Sequence, residues 1–325
     1  MTKVDSPLSA PTRHGMFRFP AADINAGGPW LFWSAPPSEA LRRSLERDGQ
    51  LVPVLVDASS PRPVLVAGAA RLAALADAGR EALCLDLGPL DDLARGLVYA
   101  RSNLGRELTD GQVVAAMRYF SSLAEADHEP ALEVLGLEPR SKRMRLIRSW
   151  MSLPRHWDVF LTAGSVPLAC ADLLEGFSPA GLQALEALFA GLSWSRGNAV
   201  NVLTWLKEAC ARDGVGVGEF LDACGVDEIL AAGLSPKDAM GRITQEVRLR
   251  RFPRLSDMER EFSEAARRVG AGTRWRITQP DLFESNVVEF SARPTSPAQL
   301  RELSAELARI AVRDDLDALF PLEGK

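Results

Sequence analysis

At 325 residues the chain is long enough for two or three domains and a sizeable core. A net charge of −5 and a pI near 5.5 leave out the global basicity of many nucleic-acid binders, so such a function would have to rest on a local basic patch. Four cysteines without a C-x-x-C pair and three scattered histidines imply neither a zinc site nor a disulfide framework. No apolar run is long enough to span a bilayer, and no signal-peptide pattern opens the chain, so a cytoplasmic protein is expected.

Residues 1–37 are rich in Pro, Ala, Gly and Ser and read as a lead-in. Within them Pro29-Trp30-Leu31-Phe32-Trp33 is apolar enough to pack as a first strand, with both tryptophans in packing roles. Ser38 is placed to cap a helix carrying Leu41 and Leu45, which Gly49 stops. Leu51 to Val56 is a strand by its β-branched content, with Pro53 near its start. A second strand, Pro63 to Ala67, runs through Gly68 into a helix that closes at Gly79. A strand entering a helix through glycine presents free backbone N–H groups, which suit a phosphate. Cys84 lies in the apolar strand ALCLDL and reads as core. The small α/β head is expected over 38–108.

From 109 to 252 nearly every segment has helical spacing, including Ser178 to Phe189 and Ala199 to Ala211. Ala131 to Leu137 is a short helix ending at Gly136. Beyond it, Arg140, Lys142, Arg143, Arg145, Arg148 and Arg155 stand between Pro139 and Trp157 with no acidic residue among them. Met144, Ile147 and Met151 recur on one helical face, joined by Trp150, and leave the cations outward. Helix, glycine-containing turn and basic helix is the order that lays a recognition helix in a major groove. Arg140, Lys142 and Arg143 would lie nearest base edges or flanking phosphates, and Arg145 and Arg148 nearer the backbone. The alternative is a solvated basic face. Arg248 to Arg254 forms a second basic cluster, either a linker touching DNA phosphate or a charged hinge ending at Pro253.

The last part, 253–325, reads as helix, two strands and helix. Leu255 to Val269 is amphipathic, Thr273 to Thr278 and Asn286 to Ala292 alternate as half-buried strands do, and Ser296-Pro297 opens a helix. Leu300, Leu303, Leu307 and Ile310 make a narrow stripe that pairing with a second copy would cover; the alternative is packing onto the central helices.

The order SLERDGQLVPVLV, VAGAARLAALADAG, SNLGREL, then LGLEPRSKRMRLIRSWMSLP and LTAGSVPLACADLL resembles the ParB-type partition proteins from about Leu41 to Leu174. The resemblance implies an α+β, mostly helical protein in four stretches. These are the lead-in, a ParB/sulfiredoxin-like head over 38–108, a helix-turn-helix region over 109–252, and an αββα dimerisation tail over 253–325. It implies sequence-specific binding of double-stranded DNA in chromosome or plasmid segregation, at the nucleoid, as a homodimer and with a ParA-like ATPase as partner.

The departures fall in the head. The family's phosphate turn carries a Glu and several Arg residues and serves CTP; here it is Gly68-Ala69-Ala70-Arg71, with Ala73 further on. Ser102 replaces the Glu of the family's E-N-x-x-R motif, while Asn103 and Arg106 are kept. Gly68, Arg71, Asn103 and Arg106 are therefore the candidate nucleotide residues, and the alternative is that the first three only hold the turn together. Each missing Arg removes a charge-assisted hydrogen bond, and the missing carboxylate weakens Mg²⁺ capture. CTP and Mg²⁺ are the cofactors the resemblance implies, held weakly, with CTP turnover absent or very slow. No catalytic or metal-binding residue is assigned. Sulfiredoxin chemistry is excluded because Ala69 occupies the position of its thiolate. Other functional readings are a CTP-dependent switch or enzyme using Arg71, Asn103 and Arg106, and a transcriptional regulator on the same scaffold.

Overall fold

The first strand lies earlier than the composition suggests. In the computed structural model, which describes residues 15–123 and 129–320, β1 is Gly15–Pro20. It is followed by β2 (Val54–Asp57), β3 (Val64–Ala67) and β4 (Glu81–Asp86) in one mixed sheet of order β1-β4-β2-β3. Cys84 holds the centre, opposite Phe17 in the antiparallel β1 pair and opposite Val54 in the parallel β2 pair. Burial pushes its thiol up to about 11, as expected of a packed core cysteine.

Pro29–Trp33 is not a strand. Its apolar content marks burial, but the backbone makes two turns there. The Trp30 indole donates to the Leu65 carbonyl at 2.9 Å, and the Arg95 guanidinium lies 4.8 Å from its ring centroid. A Cβ on Gly28 would fall 2.3 Å from the Trp30 ring, so the turn requires glycine there. Phe32 and Trp33 join Tyr99, and Phe32 also meets Tyr119 and Phe120, in an aromatic cluster.

Local chemistry sets the helix ends. Ser38 accepts from the Leu41 N–H at the start of α1 (Glu39–Asp48), and Gly49 ends it with φ +72°. Gly68, at φ +101°, turns β3 into α2 (Ala69–Asp77). Then come α3 (Asp92–Arg101) and α4 (Asp110–Ser121), the latter opened by a Thr109–Gln112 capping box. The chain continues with α5 (Glu129–Val134), α6 (Lys142–Met151), α7 (Asp158–Thr162) and α8 (Ala171–Leu174). Next are α9 (Pro179–Phe189), capped by Ser178, and α10 (Arg196–Asp213). The chain divides into two compact units between Leu203 and Thr204, within α10.

In the second unit α11 (Val217–Ala223), α12 (Val226–Ala231) and α13 (Pro236–Arg251) lead to a break at Phe252, where Pro253 opens α14 (Pro253–Val269). Two cations of the basic cluster at this break are paired internally, while Arg254 is exposed. Arg248 forms a two-pronged pair with Glu259, Arg251 pairs with Glu208, and Arg212 donates to the carbonyls of Arg250 and Arg251. The short strands β5 (Arg276–Thr278) and β6 (Glu289–Ser291) pair antiparallel, and α15 (Pro297–Ile310) follows its Ser296 cap. Trp275, Ile277, Val288 and Phe290 cover a small core of Phe262, Ala265, Val269, Ile310 and Leu319. The leucine stripe of α15 therefore splits. Leu303 (3% exposed) and Ile310 are buried within the unit, while Leu300 (54%) and Leu307 (36%) remain open.

One buried charge fastens the sheet to α3. Asp57 is 2% exposed and accepts from Ser59 Oγ at 2.6 Å, Arg95 Nη2 at 2.8 Å and the Leu90 N–H at 3.1 Å. Burial alone would raise its pKa, but the Ser59, Arg95 and Leu90 donors outweigh it and bring the carboxyl down to about 2. Because the folded value lies below the ordinary 3.8, the stabilisation is fully present above that pH and is lost as pH falls through about 2. The shift corresponds to about 2 kcal/mol. Asp57→Asn is expected to lower stability at neutral pH by that order and to flatten the acid limb of a stability–pH curve. An unchanged acid limb in the variant would assign the acid sensitivity elsewhere.

Candidate functional site

Two places in the first unit gather the residues singled out by the sequence. The first is α6. Ser141 Oγ accepts from the Met144 N–H, which starts the helix after the turn that follows α5 and Gly136 (φ +64°). Met144, Leu146, Ile147 and Trp150 are buried, and α6 packs on α4 and α8 through them. At 100° per residue, Lys142, Arg145 and Arg148 then form one outward row, and all three are exposed. Arg140 is exposed in the turn just before. Arg143 is exposed as well, off the side of that row. It flanks α4, where its Nη2 lies 3.0 Å from Asp110 Oδ1. Arg145 reaches Asp172 at 2.9 Å. These are half-exposed surface pairs, each worth under about 1 kcal/mol, so a phosphate can replace either carboxylate at small cost.

Behind α6 sits a device that helical spacing does not disclose. Arg118 of α4 donates to the carbonyls of Met151 (3.0 Å) and Leu153 (3.2 Å) and pairs with Asp158 at 2.7 Å. Asp158 in turn accepts from the Trp150 indole at 3.0 Å. A guanidinium thus satisfies carbonyls at the C-terminal end of the helix, where positive charge also complements the helix dipole.

The second place is a cleft of about 450 Å³ that brings together Gly68, Arg71, Asn103 and Arg106. Ala69, Ala70 and Ser102 also line it, whereas Ala73 does not. Gly68 supplies no side-chain cap, so the first N–H groups of α2 are left open, and the first satisfied one is Leu72 N–H on the Gly68 carbonyl. A Cβ at Gly68 would press on Val54 Cγ1 at 3.0 Å and Arg71 Nη2 at 3.2 Å. Arg71 donates to the Val52 carbonyl at 3.1 Å. Burial first, and then the like charge of Arg106, push its guanidinium below the ordinary value. Asn103 Nδ2 donates to the Tyr99 carbonyl at 2.9 Å, which ties it to the end of α3.

The rest of the lining is not singled out as a site in the sequence. Trp33, Ser34, Pro36, Ser38, Leu41 and Tyr99 also line the cleft. Trp33 also donates its indole N–H to the Gln112 carbonyl at 2.7 Å, in the first turn of α4. A segment rich in Pro, Ala and Ser gives no periodic signal, and only its tryptophans hint at a fixed position. Burial raises the Tyr99 phenol, partly countered by a Trp33 backbone hydrogen bond and by Arg106.

The donor set does not fit the Mg²⁺ that accompanies a nucleotide in the family resembled. No Asp, Glu, His or Cys lines the cleft, and Ser102 Oγ is engaged with the Tyr99 carbonyl at 2.8 Å. Among the described residues no cluster of three or more His, Cys, Asp or Glu could hold a metal ion. Among them, too, no helix is long and apolar enough to cross a membrane.

No family model matches the chain, and no curated protein matches it. Two solved structures to which it is similar are of the C-terminally truncated chromosome-partitioning protein ParB from Caulobacter crescentus. One, complexed with CTP-gamma-S, is 19% identical with a TM-score of 0.25, over 54% of this chain and 98% of that one. The other, complexed to the centromeric parS site, is 20% identical with a TM-score of 0.35, over 55% of this chain and 94% of that one.

Proposed function

We propose that the protein binds double-stranded DNA through α6, as a divergent counterpart of ParB-type partition proteins. The observation that carries this reading is the outward row of Lys142, Arg145 and Arg148. It stands on a helix anchored from behind and is flanked by Arg140 and Arg143. A local cationic row attracts phosphate even on an acidic chain, because the field that matters lies within a Debye length of the surface. The first turn of α6 presents Lys142 and Arg143 to base edges, while Arg145 and Arg148 suit the backbone. Partition of a chromosome or plasmid, with a ParA-like ATPase as partner and a place at the nucleoid, is the role the sequence resemblance adds. Duplex binding titrated against salt tests the reading: log K should fall linearly with log salt, by about 0.9 per phosphate neutralised. Binding that ignores salt would overturn it.

The tail supplies the second copy. Leu300 and Leu307 keep an open apolar edge on α15, and pairing through it would raise affinity for a two-fold DNA site by avidity. Since Leu303 is already buried within its own unit, Leu300→Glu with Leu307→Glu is the clean variant. Sedimentation is expected to show a wild-type dimer and a variant monomer with unchanged helix content. A wild-type monomer at micromolar concentration would remove the tail as a dimerisation element.

A further inference from the structure

We infer that the tail carries a pocket for a singly charged organic carboxylate, set between the β5–β6 hairpin and the start of α15. Alternation along the hairpin builds it. Trp275, Ile277 and Phe290 turn to the core of the unit, which leaves Arg274, Arg276, Ser291 and Arg293 to the other face. Arg276 and Ser291 stand directly opposite each other in the strand pairing. These residues line a pocket of about 440 Å³ together with Ala292 and with Gln299 and Leu303 of α15, room for one small organic anion.

The arginines are unevenly answered. Arg274 reaches Glu302 at 2.8 Å and Glu306 at 3.1 Å, and its backbone N–H donates to Glu306 as well. Arg276 and Arg293 are exposed, and their side chains form no hydrogen bond or ion pair among the described residues. No carboxylate lines the pocket, and Glu289, further along the same face, lies outside it. Gln299 Oε1 accepts from the Thr295 N–H at 2.6 Å and from its hydroxyl at 2.8 Å, which orients the amide and leaves Nε2 to donate. Three arginines against Glu302 and Glu306 leave one positive charge, to which the first turn of α15 adds about half. One carboxylate balances that sum, and a guanidinium fork matches its two oxygens. A phosphate dianion, or the repeated charge of a nucleic-acid backbone, would exceed it. Leu303 and Ala292 give a short apolar arm something to pack on. The inference is independent of DNA binding by α6.

Ligand-observed NMR titration of the full chain tests it, with isovalerate as a free acid and acetyl-glycyl-leucine as a peptide end. At least one of the two is expected to bind at one site per chain at millimolar concentration, while the corresponding amides do not. The tighter of the two identifies the source of the carboxylate. Arg293→Ala should weaken binding about tenfold or more, and Arg293→Lys should recover part of it. Arg293 is exposed and unpaired, so its variants keep the fold, and Arg276→Gln repeats the test from the other strand. Arg293→Ala is expected to sediment as the wild type does. Binding of neither acid, equal binding of acid and amide, or wild-type binding by both arginine variants would each overturn the inference. So would tighter binding of inorganic phosphate as its dianion, or displacement of the probe by duplex DNA in a protein carrying Arg145→Ala and Arg148→Ala. A dimer weakened by Arg293→Ala would make the pocket part of the contact between copies, and would overturn it too.

Discussion

Replacing Arg118 by Ala is expected to cost the first unit about 3 kcal/mol, more than any surface change on α6. The side chain holds the Met151 and Leu153 carbonyls and Asp158 together, and its removal leaves a largely enclosed carboxylate facing helix carbonyls. For a body of this size that loss lowers the melting temperature by roughly 6–12 °C. Arg118→Lys should recover only part of it, because a point ammonium cannot reproduce the fork that reaches several acceptors at once. Urea unfolding followed by circular dichroism measures both. A loss below about 1 kcal/mol in Arg118→Ala would mean that the network ornaments α6 rather than anchoring it.

The second large effect is on DNA. Arg145→Ala with Arg148→Ala is expected to weaken duplex binding by about 1–3 kcal/mol for each arginine that touches the DNA, with a shallower salt slope. Adding Arg143→Ala extends the loss to the base-facing end. A companion pair has the opposite sign. Asp110→Asn and Asp172→Asn free Arg143 and Arg145 from their intramolecular carboxylates and should tighten binding, by under about 1 kcal/mol each. Opposite signs from cation removal and carboxylate removal, in proteins that still fold, are what a cationic reader requires. Equal affinity in the folded Arg145/Arg148 double variant removes α6 from the role.

What the sequence disclosed was local. The Ser38 cap, the Ser296-Pro297 opening, the glycine entry into α2 and the apolar face of α6 are each determined within a turn or two of chain, and each is present. What it hid was decided by distant partners. β1 finds its hydrogen bonds on β4 far along the chain, and six residues ending in Pro carry too little periodicity to announce a strand. Trp33 reads as strand packing until the Gln112 carbonyl, 79 residues on, fixes it in the lining of the cleft. Arg143 is expected to be exposed and is, but nothing local announces its pairing with Asp110, 33 residues earlier. Of the leucine stripe on α15, spacing gave the direction of the face but not which leucines the hairpin would cover.

Anchoring α6 from behind has an evolutionary consequence. Trp150, Asp158 and Arg118 fix where the helix lies, while Lys142, Arg145 and Arg148 contribute nothing to the buried face. Exposed substitutions away from such anchors typically change stability by no more than about 0.5 kcal/mol in either direction. A lineage can therefore rewrite the outward row, and with it the charge that this face of the molecule presents, without passing through unfolded intermediates. Persistence of the scaffold and drift of its outer face are inherited as separate traits.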